Sequence, residues 1–231
     1  MEALYLKEAY LKEFDSAVED VDGKYVRLKE TAFYPSSGGQ PSDRGTLIGK
    51  EEYEVVDVGK VDEKIVHELS RAGLRVGDRI HGIIDWGRRH RLMRMHTASH
   101  LLSAIINTET GALITGNQLG IDRSRVDFNL EKFDRDKFYK FCEKANEYIE
   151  RDLPVTTYSL SRERALALPS LTKLAKGLPT LEQVRIVEIQ CVDLQADGGT
   201  HVKSLNEIGK IQIVKLENKG KNNRRIYFTI P

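Results

Sequence analysis

Residues 88–107 read RRHRLMRMHTASHLLSAIIN. The stretch holds neither glycine nor proline, and Leu92, Met95, Leu102 and Ile106 recur at helical spacing. That pattern predicts a helix, with Gly111 following its end. Gly87 stands just ahead of it, and the character of the chain changes there. Upstream, short alternating runs recur at 25–30 (YVRLKE), 52–58 (EYEVVDV), 64–67 and 78–86 (DRIHGIIDW). Asp22-Gly23, Ser37-Gly38-Gly39 and Ala72-Gly73 punctuate them as turns. Short strands divided by turns predict a small barrel or sandwich. Downstream, a second helix is expected over 134–151, capped by Asp134, with Phe138, Phe141, Cys142, Ala145 and Ile149 facing inward. Leu153-Pro154 stops it, and Ser161 opens a shorter helical piece. Strands are expected at 184–194, 208–216 and 224–230. The expectation is an α+β chain: a small amino-terminal β-barrel domain over 1–87, then an α+β domain over 88–231.

Composition narrows the field. The chain has 231 residues, 40% of them hydrophobic and 31% charged, with a net charge of +1. That is enough to bury a core, and the low-hydrophobicity, high-charge signature of disorder is absent. No apolar run approaches the ~20 residues that cross a bilayer. The amino terminus, MEALYLKEAYLKEFD, is charged throughout and lacks a signal-peptide apolar region. Two cysteines, Cys142 and Cys191, suggest no disulfide framework. A cytosolic location is expected, with no membrane and no obligate protein partner implied. Nucleic-acid binding has to come from local clusters of charge.

Three motifs carry candidate chemistry. His96 and His100, at i and i+4, share one helix face and can reach one metal. Such a pair can equally be solvated or satisfied within a core. Thr97 stands where a metalloprotease helix has its glutamate, which disfavours peptidase chemistry. In Asp197-Gly198-Gly199-Thr200-His201, paired glycines allow a sharp bend, and His201 would complete three ligands from a distant segment. Asp197 would be a fourth ligand or would orient a histidine. A plain glycine turn with an exposed histidine is the competing reading. Cys191 is a softer competitor as ligand, but Val187, Ile189 and Cys191 alternate with polar residues. That places its sulfur on the buried face of a strand. The third motif, YPSSGGQPSD at 34–43, is either an ordinary turn or a backbone surface able to approach RNA or an ester.

Taken together, YPSSGGQPSDRG, HTASHLL and DGGTHV, in that order and spacing, resemble the AlaX family. These are free-standing relatives of the editing domain of alanyl-tRNA synthetase, itself similar to that of threonyl-tRNA synthetase. The resemblance covers nearly the whole chain and is closest to the medium-length type with an amino-terminal glycine-motif domain. It implies that Gly38 and Gly39 form the glycine motif, with Gln40 beside them. It also implies that His96, His100 and His201 are metal ligands for zinc. One position departs: many members read Cys-Gly-Gly-Thr-His, and here Asp197 stands in place of that cysteine. Oxygen also binds zinc, but the exchange hardens the donor set.

The resemblance implies deacylation of tRNA(Ala) mischarged with serine or glycine. Hydrolysing that ester needs a placed water and a stabilised oxyanion. The backbone near Gly198 and Gly199 would supply oxyanion donors. A site that hydrogen-bonds the serine hydroxyl rejects alanine strongly. Thr97 is the first candidate for that contact, with Asn117, Gln118 and Asp127 behind it. Two basic clusters are candidate phosphate contacts: Arg88, Arg89, Arg91 and Arg94, and then Lys215, Lys219, Lys221, Arg224 and Arg225. Solvated faces explain such runs equally. Two other classes stay open: a catalytically impaired tRNA-binding module, and a different metal-dependent esterase.

Overall fold

A computed structural model describes residues 2–131, 134–168, 171 and 182–231. The chain forms two compact units, Met1–Leu92 and Met93–Pro231. The first begins with β1 (Glu2–Ala3) and a single turn α1 (Leu4–Lys7). It continues through β2 (Glu13–Asp22), β3 (Tyr25–Leu28), β4 (Glu30–Thr31), β5 (Gly45–Ile48), β6 (Glu52–Val61), β7 (Lys64–Leu69) and β8 (Arg79–Ile84). Six of these close a barrel in the order β2-β3-β7-β6-β5-β8, every pair antiparallel. Alternation puts one set of side chains inside: β8 buries Ile80 and Ile84, and β7 buries Ile65, His67 and Leu69. Closure removes the exposed sheet edges that invite aggregation. The expected amino-terminal barrel is therefore present, with β2 and β5 as two further strands beyond those the sequence marks.

Helix α2 (Trp86–Thr110) runs from the first unit into the second and is three residues longer at its carboxyl end than the sequence predicts. The second unit continues with β9 (Ile114–Gln118), β10 (Ser124–Phe128), α3 (Arg135–Glu150), β11 (Val155–Ser161) and α4 (Arg162–Leu166). It closes with β12 (Gln183–Ile189), β13 (Asp193–Ala196), a 3-10 turn at Leu205–Ile208, β14 (Gln212–Asn218) and β15 (Arg224–Thr229). One sheet has the order β14-β15-β10-β9, and a second has β11-β12-β13. Asp134 caps α3 as expected, its carboxylate accepting from the Asp136 and Lys137 amides. The fold is α+β.

Two expected strands are corrected. The run over 184–194 is a hairpin, β12 and β13, joined by a turn in which Cys191 takes φ 61°. Cys191 is exposed, not buried, because a tight turn takes it out of the strand's alternation. The run over 208–216 begins later, at Gln212, because Gly209 at φ 77° ends the 3-10 turn first.

Candidate metal centre

From Met95 to Ile106 every residue of α2 is buried. A helix without a solvent face is ordinarily apolar all round. This one nevertheless carries His96, Thr97, Ser99, His100 and Ser103. Burying a polar group without a partner costs roughly 1–3 kcal/mol by mutational measures, so such groups need answering groups nearby. Strand β13 supplies some of them. Its Asp193 and Gln195 are buried, while Leu194 and Ala196 alternate with them and pack against Ala165, Leu171, Val184 and Ile186. One face of the strand is thus core and the other polar.

The segment after β13 brings Asp197 and His201 to the two helix histidines. Ring centroids lie 5.1 Å apart for His96–His100, 4.3 Å for His96–His201 and 4.6 Å for His100–His201. One ligand atom from each of His96, His100, Asp197 and His201 lies within 4.8 Å of all the others. Asp197 Oδ1 is 3.2 Å from His201 Nε2, and Oδ2 is 3.7 Å from His96 Nε2 and 3.9 Å from His100 Nε2.

Neighbours fix how the imidazoles present themselves. Asp193 Oδ2 sits 3.1 Å from His100 Nδ1. A carboxylate accepts, so Nδ1 donates its proton to Asp193 and the ring turns Nε2 towards the cluster. Thr97 does the same for His201. Its hydroxyl donates to the Met93 carbonyl at 3.0 Å and accepts from the Val202 amide at 3.2 Å. The remaining contact, 3.1 Å to His201 Nδ1, must therefore be an N–H donated to Thr97. His201 Nε2 and Asp197 Oδ1 then face each other as two acceptors, an arrangement that a cation resolves. Thr97, the expected contact for a substrate hydroxyl, is wholly buried, with its hydroxyl engaged by Met93, Val202 and His201.

Electrostatics point the same way. Burial pushes His96 down to about 4, partly opposed by the Asp197 charge. Burial and the neighbouring His96 hold His201 well below its ordinary value. Burial raises the Asp197 carboxyl, but the facing imidazoles outweigh it and hold the group well below the usual carboxylate range. Neutral His96 and His201 beside an ionised Asp197 are in the protonation state a divalent metal takes up. Three nitrogens and one oxygen form a donor set that suits zinc.

The glycine pair has two different jobs. A Cβ at Gly199 would lie 2.3 Å from His96 Cε1, so only glycine lets the backbone pass. A Cβ at Gly198 would meet nothing. The Gly199 amide donates to Asp197 Oδ1 at 2.5 Å. Arg185, on β12, donates from Nη1 to the carbonyls of Asp197 and Gly199, both at 2.9 Å, and so clamps the loop. Sequence reasoning missed Arg185 and Asp193. The polar alternation of Asp193-Leu194-Gln195-Ala196-Asp197 was a readable sign of the latter.

Other expected site residues are placed elsewhere. In the first unit, Gly38 and Gly39 form the turn of a small hairpin at φ 57° and 85°, closed by backbone bonds between Ser37 and Gln40. Gln40 is buried. Arg89 is wholly buried, not a phosphate contact: its Nε meets both Asp43 oxygens at 2.9 and 3.0 Å, and its Nη1 meets the Ala9 carbonyl. Arg88 Nε donates to the Ser42 carbonyl at 3.0 Å. In the second unit, Arg94 donates to Ile208 and Pro231 oxygens. Arg224 is likewise buried, its guanidinium holding the carbonyls of Gly220, Lys221 and Asn223. Lys221 is exposed, and Gln118 lies on β9 beside Arg125.

Residues 2–88 match the family described as tRNA synthetases class II (A). Residues 184–227 match the threonyl and alanyl tRNA synthetase second additional domain. The chain is 53% identical to alanyl-tRNA editing protein AlaX-M of Methanosarcina acetivorans, over 99% of this chain and 98% of that protein. The chain belongs to the AlaX family. An AlaX-M protein of Saccharolobus solfataricus is 43% identical, again over 99% and 98% of the two chains. The alanine–tRNA ligase of Ignicoccus hospitalis is 37% identical over 91% of this chain but only 24% of its own length. The AlaX chain thus matches a portion of that much larger enzyme. No helix among the described residues is long and apolar enough to cross a membrane.

Proposed function

We propose that this AlaX protein hydrolyses the aminoacyl ester of tRNA(Ala) mischarged with serine or glycine, in the cytosol, at a zinc site formed by His96, His100, Asp197 and His201. The observation that carries the reading is the convergence of four ligand atoms within 4.8 Å in a chain of this family. Zinc bound there would supply a Lewis acid for the ester carbonyl or for water. The chain's own residues do the rest. Asp193 and Thr97 hold two imidazoles with Nε2 aimed inward, so little reorganisation is needed when charge develops. Arg185 fixes the loop that carries Asp197. The Gly199 amide is engaged by Asp197, and Gly198, exposed beside it, is the oxyanion donor we assign.

The test is deacylation of tRNA(Ala) charged with serine, glycine or alanine, side by side, with metal analysis of the same preparation. Faster turnover of the serine or glycine ester than of the alanine ester, with about one zinc per chain, is expected. Equal rates on all three esters, or full activity in metal-free protein, would overturn the reading.

A further inference from the structure

The sheet β14-β15-β10-β9 has one apolar and one polar face. Val126, Ile226 and Phe228 are buried on the first. On the second, strand pairing aligns two rows across the sheet: Gln118, Arg125, Tyr227 and Lys215, then Gly116, Asp127, Arg225 and Glu217. A cavity of about 410 Å³ opens beside these rows, lined by Gln118, Gly120, Arg123, Arg125, Arg225 and Tyr227 among others. It presents three guanidinium groups.

Their surroundings are built. The buried carboxylate of Asp127 takes Arg225 bidentately, at 2.6 Å from Nε and 2.8 Å from Nη2, and also takes Arg125 Nη1 at 3.0 Å. Arg125 Nε donates to Gln118 Oε1 at 3.1 Å. Two arginines are thus held rigidly over one compensating charge. Arg123 stacks over the Tyr227 ring at 5.3 Å, with Arg225 at 5.9 Å, and has no carboxylate partner among the described residues. Three guanidiniums thus stand over one carboxylate, Asp127, while the neighbouring Glu217 is answered by Lys215 and Lys219. The guanidinium fork matches phosphate oxygens.

We propose that this cavity binds the phosphodiester backbone of the tRNA substrate, with Arg123 as its principal contact and Arg125 and Arg225 as its preorganised wall. The inference rests on the tRNA reading above and adds the place where the RNA is held. Of the basic clusters evident in the sequence, Arg225 alone lines the cavity, and Arg89, Arg94 and Arg224 are spent on internal acceptors. Pairing of β10 with β15 assembles the three arginines from two distant segments.

The experiment compares the zinc-loaded wild type with Arg123→Ala, Arg123→Glu and Arg123→Lys. Arg123 is exposed, so the fold should tolerate all three. Affinity for uncharged tRNA(Ala) is measured across ~50–200 mM salt. Hydrolysis of 3′-O-seryl-adenosine, an ester without a phosphodiester, is measured in parallel. Arg123→Ala should weaken tRNA binding by about five- to tenfold near 0.1 M salt and reduce the slope of log K against log salt by about one. Arg123→Glu should weaken it further, and Arg123→Lys should recover the slope. Zinc content and seryl-adenosine hydrolysis should stay within about twofold of wild type, since no phosphate is involved. Unchanged tRNA affinity and slope in the alanine and glutamate variants, beside a wild type that deacylates tRNA, would overturn the cavity assignment alone. Parallel loss of zinc or small-ester hydrolysis would also overturn it, by showing a structural role. A wild type that hydrolyses seryl-adenosine but not seryl-tRNA(Ala) would instead remove the reading on which the inference rests.

Discussion

Both units bury polar groups, but they dispose of them in opposite ways. In the barrel, His67 donates from Nδ1 to the Val26 carbonyl at 3.2 Å and accepts at Nε2 from Thr31 at 2.8 Å. Thr31 in turn accepts from the Phe33 amide. Arg89 and Asp43, both fully buried, satisfy each other and two further carbonyls. In these two networks the imidazole and guanidinium donors meet acceptors. In the cluster of His96, His100, Asp197 and His201, second partners absorb the protons and leave acceptors facing acceptors. Burial and polarity are the same in both places; the direction of the lone pairs separates a structural network from a site that calls for a ligand.

The sharpest way to break the contrast is His96→Ala. Removing one of the convergent ligands should abolish deacylation and bring zinc content to background. Retention of metal and full activity would show that the cluster is a second structural network. Asp193 and Thr97 would then be ordinary core contacts.

Arg89→Ala tests the other side. It leaves Asp43 buried and unpaired, which should cost about 3–5 kcal/mol in urea unfolding of the first unit. A change below about 1 kcal/mol would mean that Asp43 finds another partner or takes up a proton.

Acid sharpens the barrel side further. Burial holds His67 down to about 4 against an ordinary 6.5. The unfolded chain therefore binds more protons between those values, and stability falls as pH drops from 6.5 towards 4. The loss from this one group should total about 3 kcal/mol. His67→Gln should flatten that part of the stability curve. An equally steep curve in the variant would assign the loss elsewhere.

The smallest effects concern positioning. Asp193→Ala and Thr97→Val should each lower zinc affinity by about 10- to 100-fold, by freeing the tautomer of His100 or His201. The ratio of serine to alanine turnover, measured with zinc saturating, should stay unchanged in Thr97→Val. A collapsed ratio with normal zinc affinity would return Thr97 to the substrate.

Much was legible along the chain because the signals are local. The i, i+4 histidines, the Asp134 cap and the alternating runs of the barrel depend on periods of 3.6 and 2, which any short window displays. Strand β11 was not legible. Its burial pattern leaves four consecutive residues exposed, so no alternation marks it. The misplacement of Cys191 has a related cause, since its alternation with Val187 and Ile189 continued past a turn that no glycine or proline announced.

What the sequence by itself determined is the ligand types, the helix that carries two of them, and the barrel ahead of it. Neighbours along the chain decide those features. Which basic residues remain available was decided only by the tertiary structure. Arg89 and Arg224 look no different in composition from Arg123, yet the first two spend their guanidinium groups on internal acceptors. The Nδ1 partners of two imidazoles were decided there too, Asp193 for His100 and Thr97 for His201, pairs that no local pattern joins. Hydrogen bonding between side chains is a matter of ångströms in space, and folding brings together atoms about a hundred residues apart, as with Thr97 and His201.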